Sequence, residues 1–298
     1  MQAPAEQRLD WPVQLAGLGY APEGDPFPTG RPDRATVRAR TQQGTLVVAK
    51  FCPERGAQTF ENMQKLWAST FGERRQPAGL PKPLDYLPEP GVLISEYVEG
   101  RPLSETGRLS ESHARSAVEL LASLHGSDVQ PPSRRSSRGI VRSARRKADR
   151  VAELAPQYAD AIRSLADALE ANRARDTEMV PSHGDFSMRN VLAGPQRLVL
   201  IDWERLQWAD PMRDVVYFGI STWLPRLRRG RLPDRSLLKQ VLAHYRTLRP
   251  EADLEKQMGF HLAAGLLRVA CSLIELWPAE AYLVPGLLTI AHRELVAS

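Results

Sequence analysis

The chain changes its folding grammar once, near Gly100, and that break limits what it can become. Before it lie strand-forming runs around a glycine turn. Ala35-Thr-Val-Arg-Ala-Arg-Thr and Thr45-Leu-Val-Val-Ala-Lys-Phe flank Gln42-Gln43-Gly44, which predicts a hairpin. Phe60, Met63 and Trp67 fall at helical spacing with Leu66 beside them, so residues 57–70 predict an amphipathic helix. Residues 81–91 read as a proline-rich connection, and residues 92–98 as another strand. The first 34 residues, dense in proline and turn pairs, read as irregular with at most a short helix near 10–18. After Gly100 helices take over. Ser110 caps a helix carrying Val118, Leu121, Leu124 and His125, and Gly126 stops it. Residues 127–138, rich in Pro, Ser and Arg, read as a mobile loop; residues 139–174 read as one or two helices. A short apolar strand at 198–201 precedes a mostly helical C-terminal stretch. The expected fold is α+β, with a small β-rich lobe over residues 1–97 and a larger helical lobe over residues 98–298.

Composition narrows the class. With 298 residues, 42% apolar and 25% charged, the chain is long enough for a sizeable core and excludes disorder, collagen and a disulfide scaffold. Its two cysteines, Cys52 and Cys271, are far apart, so a reducing, cytoplasmic setting is expected. The opening MQAPAEQRLDW lacks the basic-then-apolar pattern of a signal peptide. Residues 258–277 are strongly apolar but carry His261, Arg268 and Glu275, so they read as a buried helix and no membrane span is expected. The net charge of +5 is concentrated: residues 134–150 hold eight basic residues against Asp149, and residues 226–235 hold five arginines against Asp234. The remainder is acidic, which argues against a nucleic-acid-binding protein.

The chemistry concentrates in Ser182-His183-Gly184-Asp185-Phe-Ser-Met-Arg-Asn190 and in Leu200-Ile201-Asp202-Trp203-Glu204. Asp185 and Asn190 stand five apart in a segment too polar for a core strand, and Asp202 follows directly on an apolar β run. A turn between two short strands brings the three side chains together. One carboxylate and one amide oxygen suit Mg²⁺, with phosphate oxygens completing the shell. The other carboxylate is then free to orient an acceptor hydroxyl. That is a parts list for phosphoryl transfer.

The H-G-D-x-x-x-x-N spacing, with the Asp of I-D-W-E twelve residues after Asn190, resembles the aminoglycoside phosphotransferase and choline kinase superfamily, small-molecule kinases with a protein-kinase-like two-lobe fold. Gly184 and Trp203-Glu204 share that superfamily's departures from the protein-kinase pattern. The resemblance implies that Asp185 orients the acceptor hydroxyl and accepts its proton, that Asn190 and Asp202 bind Mg²⁺, and that His183 supports the loop. It also implies that Asp214 begins the next helix and braces the catalytic loop. Lys50, at the end of Val47-Val48-Ala49-Lys50, is placed on the α- and β-phosphates of ATP, with GTP as the alternative nucleotide. Its acidic partner is expected on the following helix, with Glu61 the first candidate and Glu54 the second. Residues 93–100 resemble the family hinge, with the Ser95 carbonyl and the Tyr97 amide facing adenine and Val98 the one-residue alternative. The nucleotide turn falls on Pro28-Thr29-Gly30-Arg31-Pro32, where Gly30 is the only glycine and Arg31 or Arg34 compensates for the prolines. His125 reads as structural.

The acceptor implied is a small hydroxylated molecule, first of all an aminoglycoside-like antibiotic or amino sugar. Such polycations call for carboxylates, and the candidates are Asp160, Glu204 and Asp210, with Glu275 and Glu280 behind them. The alternatives are a metabolic kinase for choline, a sugar or homoserine, or a catalytically weak nucleotide-binding regulator. The arginine run at 134–150 fits a solvated helix face, a clamp for an anionic acceptor or a partner surface.

Overall fold

A computed structural model of the chain describes residues 11–27, 35–107, 109–176, 178–251 and 257–296. In chain order the elements begin with α1 (Trp11–Gly17), β1 (Tyr20–Phe27), β2 (Ala35–Thr41), β3 (Leu46–Phe51), α2 (Gly56–Trp67), β4 (Pro83–Leu87), β5 (Val92–Glu96) and the two-residue β6 (Arg101–Pro102). There follow α3 (Glu111–His125), the two-residue β7 (Arg134–Arg135), α4 (Ser137–Leu154), α5 (Ala159–Ala171), β8 (Val180–Ser182), β9 (Val191–Ala193), β10 (Leu198–Leu200) and β11 (Gln207–Ala209). The chain ends in α6 (Met212–Leu227), α7 (Arg235–Leu248), α8 (Met258–Leu276) and α9 (Val284–Val296). The fold is α+β, and the chain divides into two compact units.

The sheet unit holds the chain up to Arg101, together with Ser127–Gln130 and Leu192–Glu204. Its five-stranded sheet has the order β1-β2-β3-β5-β4 with antiparallel neighbours. Alternation decides the faces. Val47, Ala49 and Phe51 of β3 are buried with Val37, Ala39, Val92, Ile94 and Leu15 of α1, which leaves Lys50 on the opposite face. Two strands depart from the sequence expectation. β1 lies in the stretch read as irregular, and β4 in the stretch read as a connection. Both are edge strands with an irregular register, and both contain proline, which an edge tolerates because one side of it needs no ladder donor. Hydrogen bonds tie residues 192–204 into this unit. The Leu200 amide donates to the Gly79 carbonyl at 2.8 Å, Arg197 Nη2 donates to Glu96 Oε1 at 2.8 Å, and Asn62 Nδ2 donates to the Trp203 carbonyl at 3.2 Å.

The helical unit holds Pro102–Gly126, Pro131–Val191 and the chain from Arg205 onward. Ser110 caps α3 by accepting from the His113 amide at 3.1 Å, and Gly126 ends it, as the sequence predicts. The stretch read as a mobile loop contains β7 and the start of α4, because Ser136 caps α4 through the Gly139 amide at 3.1 Å. β7 runs parallel to β11, and β11 runs antiparallel to β8. α8 packs on α4, α5, α6 and α9. It is apolar and long enough to cross a membrane by length and composition, yet 67% of its most apolar window is buried inside the protein, so it is a core helix. Both cysteines are buried and neither forms a disulfide among the described residues, and burial pushes the Cys271 thiol up to about 11.

Candidate functional site

Each unit carries one part of the predicted chemistry. In the sheet unit, Lys50 Nζ donates to Asp202 Oδ1 at 2.7 Å and to Glu204 Oε1 at 2.9 Å. Burial pulls the ammonium down, but the two carboxylates override it and hold Lys50 above the usual lysine range, so it stays charged. Trp203 sets this turn. It is fully buried, its Nε1 donates to the Leu200 carbonyl at 2.9 Å, and it meets Phe71 edge-on at 5.6 Å. Its two neighbours are thereby turned toward Lys50. Asp202 has φ +70°, a left-handed conformation that costs a non-glycine residue about 1 kcal/mol or more. Such strain persists where surrounding contacts over-determine it.

The acidic partner expected on α2 is corrected here. Thr59, Asn62, Met63 and Leu66 form the buried face of α2, and that helical phase leaves Glu61 exposed, accepting from Gln58 Nε2 at 3.3 Å. Glu54 is exposed as well. Glu204, expected to face an acceptor, is instead one of the two carboxylates on Lys50. Ser95 is buried on β5 opposite Val48 of β3, and Tyr97 follows the strand with the Arg38 guanidinium 5.9 Å from its ring centre. Gly30, Arg31 and Arg34 lie outside the described residues.

In the helical unit, one buried carboxylate organises the loop after β8. Asp214 Oδ2 accepts from Ser182 Oγ and from the His183 amide, each at 2.7 Å, and Oδ1 accepts from the Gly184 amide at 2.9 Å. His125 Nε2 stands 3.5 Å from the same carboxylate, and His125 Nδ1 is 2.6 Å from the Tyr245 hydroxyl. Burial pushes the Asp214 carboxyl up, but His125, His183 and the Ser182 hydroxyl together hold it well below the usual carboxylate range. His183 is buried and its Nδ1 accepts from the Asp185 amide at 3.2 Å. Asn190 Nδ2 donates to the Asp185 carbonyl at 2.9 Å, a bond that does not use its Oδ1.

Asp185 is 5% exposed, and its carboxylate is gripped by two guanidinium groups. Arg268 Nη2 lies 2.8 Å from Oδ1, and Arg189 Nη2 lies 3.3 Å from Oδ2. Arg268 Nη1 also donates to the Gly184 carbonyl at 2.7 Å, and its guanidinium covers the Tyr217 ring at 4.4 Å. The sequence reading used Arg268 only to reject a membrane span. The signal was present: a lone arginine in an apolar helix requires a buried counter-charge.

Gly184 is needed at this turn. It has φ +74°, and a Cβ there would lie 2.4 Å from Gln207 Nε2 and 2.8 Å from the Arg205 carbonyl oxygen. Gly184→Ala is therefore expected to lower stability by about 2 kcal/mol or more. Denaturant unfolding checks this, and an unchanged midpoint would show that the turn has room to relax.

Two further acceptor candidates sit apart from such a role. Asp160 is fully exposed on α5 and pairs with Arg163 at 3.4 Å. Asp210 is buried, and its Oδ1 accepts from the Met212 amide at the start of α6. Glu275 and Glu280 pair with basic neighbours, Lys147 at 3.5 Å and Arg228 at 2.8 Å respectively. Among the described residues no group of three or more His, Cys, Asp or Glu side chains is placed to hold a metal ion.

A lysine–carboxylate pair on the sheet unit and an aspartate in a braced H-G-D turn define a phosphotransferase with a kinase-like fold. Solved structures agree on the fold. The choline kinase LicA from Streptococcus pneumoniae, also solved with AMP, is 13% identical, with a TM-score of 0.62 over 99% of this chain and 100% of that one. An aminoglycoside-3′-phosphotransferase of type VIII is 20% identical, with a TM-score of 0.59 over 87% and 98%. The macrolide 2′-phosphotransferase MphH from Brachybacterium faecium is 19% identical, with a TM-score of 0.59 over 96% and 98%. No curated protein matches the sequence. The sequence profile of the phosphotransferase enzyme family matches residues 25–254, and the chain belongs to that family.

Proposed function

We propose that the protein transfers the γ-phosphoryl group of ATP to a hydroxyl of a small molecule in the cytoplasm. The observation that carries this reading is the Lys50–Asp202 ion pair at the ends of β3 and β10. It joins the expected phosphate-binding lysine to the expected metal-binding carboxylate, and two oxygen ligands of the kind Mg²⁺ prefers are present in Asp202 and Asn190. In this reading Lys50 neutralises the α- and β-phosphates, while the Ser95 carbonyl and the Tyr97 amide hold adenine. Asp202 and Asn190 Oδ1 would hold Mg²⁺, which supplies charge neutralisation on the phosphates. Asp185 orients the acceptor hydroxyl. The bond from the γ-phosphorus to the β,γ-bridging oxygen breaks, a bond to the acceptor oxygen forms, and the hydroxyl proton passes to Asp185. His183 and Asp214 fix the turn that presents Asp185. An AMP-bound structure of the similar LicA supports a nucleotide in this fold.

The acceptor class expected from the sequence, an aminoglycoside-like antibiotic or amino sugar, finds little support in side-chain placement. Glu204 is committed to Lys50, Asp210 accepts from the Met212 amide and Asp160 points to solvent. Choline, sugars and homoserine therefore stand beside it. The test is Mg-ATP-dependent ADP release across aminoglycosides, macrolides, choline, ethanolamine, homoserine and simple sugars. With any productive acceptor, Lys50→Met is expected to lower kcat/KM for ATP at least about 10²-fold, the scale of one lost charge-stabilising group. Full activity in Lys50→Met would refute the assignment. Mg-ATP binding without turnover on any acceptor would favour a nucleotide-binding regulator.

A further inference from the structure

The helical unit concentrates positive charge around the Asp185 loop and leaves part of it unanswered. Three arginines from three different elements lie close enough to feel one another, and one of them touches this loop. Arg268 of α8 lies on Asp185 and on the Gly184 carbonyl. Arg213 stands in the first turn of α6, next to the Asp214 that holds the 182–184 backbone. Arg135 of β7 pairs opposite Ala209 of β11, whose Gln207 lies opposite Ser182 of β8. Arg135 and the strand that leads into Asp185 therefore belong to one small sheet, on either side of β11 and level at Val180.

Helix α4 packs on α8 and carries further basic residues. Glu275 of α8 is paired with Lys147 and with Arg150 of α4, at 3.5 and 3.4 Å. Two turns N-terminal to Glu275 stands Arg268, and two turns N-terminal to Arg150 stands Arg142. Arg142 and Arg146 are both exposed.

Other arginines of this protein find carboxylates, such as Arg197 on Glu96 and Arg228 on Glu280. Arg213 Nη1 and Arg135 Nε are shut off from solvent and have no hydrogen-bond partner among the described residues. Burial, then Arg268, with Arg135 and Arg205 adding to them, pulls the Arg213 guanidinium down to about 9 against the opposing pull of Asp214. Burial, then Arg146, Arg268 and Arg142, lowers Arg135. Arginine remains protonated in proteins, so these shifts mark surroundings hostile to positive charge. A buried donor without a partner is rare enough in native proteins to require a missing ligand or a role.

We infer that Arg135, Arg213 and Arg268 form an anion subsite beside Asp185, so that the acceptor is a hydroxylated small molecule carrying a phosphate or a carboxylate. This rests on the kinase reading above and names its substrate class. The planar, multiply donating guanidinium suits both anions, and the cluster repels the polycations expected from the sequence.

The test is a thermal-shift titration with sodium phosphate, against sodium chloride of matched ionic strength. It compares the full chain with Lys50→Met, Arg135→Gln and Arg213→Met. Phosphate at tenfold its Kd is expected to raise Tm by about 3 °C in the full chain and in Lys50→Met, and to do so in neither arginine variant. Without phosphate, Arg213→Met is expected to melt no lower than the parent, because it removes an unanswered buried charge. No phosphate shift, a shift that survives both arginine substitutions, or a shift lost in Lys50→Met would each overturn the inference. Mg-ATP titrations on the same samples read the kinase assignment separately. An Mg-ATP shift that depends on Lys50, without a phosphate shift, sinks the subsite and leaves the kinase standing. No Mg-ATP shift sinks the kinase while the phosphate arm still reports the subsite. In ADP-release assays, glycerol 3-phosphate and glycerate distinguish the two anions. Turnover with either is expected to fall more than about tenfold in Arg213→Met, whereas turnover confined to an aminoglycoside overturns the inference.

Discussion

Asp185→Asn is expected to lower kcat at least about 10²-fold, the scale of a lost acid–base group, while the Kd for Mg-nucleotide changes by less than about threefold. The reasoning begins with what the carboxylate touches. Its oxygens face Arg268 and Arg189, and the main chain on either side is fixed by His183 Nδ1 and Asn190 Nδ2. Asparagine keeps the size and one acceptor oxygen, so the turn persists, but it takes no proton from an acceptor hydroxyl. Asp185→Ala removes both oxygens and leaves the Arg268 guanidinium without its carboxylate, so this variant is expected to lose Tm as well as turnover. Comparing the two separates proton transfer from architecture. Equal turnover in the parent and Asp185→Asn would move the acceptor-activating role to another group.

Asp214→Ala carries the largest expected loss of stability, about 3–5 kcal/mol. Three donors, Ser182 Oγ and the amides of His183 and Gly184, depend on this one fully buried carboxylate. Removing it leaves all three unanswered in an interior that water does not reach, which is the expensive direction of breaking a hydrogen bond. Because the 182–184 backbone carries Asp185, kcat is expected to collapse even in whatever fraction remains folded. A pH signature accompanies it. The folded carboxyl is held below its unfolded value near 3.8, so it contributes stability above about pH 4 and loses it as pH falls below that. Melting of the parent between pH 7 and pH 3 should show a steeper drop at the acid end than melting of Asp214→Ala. Parallel curves would mean that Asp214 titrates alike in the folded and unfolded chain.

Local chemistry was legible in the sequence, and contacts between distant segments were not. Asp185, Asn190, Asp202 and Lys50 could be singled out because short spacings and strand ends mark them in the sequence. Ser110 and Gly126 marked the limits of α3 by capping rules that operate over four residues. Glu61 was missed by one position, since α2 takes its rotation from Thr59, Asn62, Met63 and Leu66, and Asn62 rather than Glu61 turns inward. Arg268 lies 83 positions from Asp185, and no periodicity links them. The edge strands β1 and β4 looked like loops because proline is a breaker by composition, while its actual cost depends on whether a neighbouring strand needs the missing donor. The segment 134–136 looked mobile for the same reason, although Arg134 and Arg135 complete a ladder with Trp208 and Ala209.

The sheet unit is discontinuous in sequence, and this sets a timetable for the ribosome. Its five strands have all been synthesised by Glu96, yet Trp203 reaches Phe71 and Arg197 reaches Glu96 only after another hundred residues have emerged. Until then Lys50 has neither of its carboxylates. A nascent chain halted near residue 101 therefore exposes an unfinished apolar face and an unanswered ammonium, the kind of surface that chaperones hold. Completion of the sheet unit therefore waits on the translation of the loop that carries Asp202.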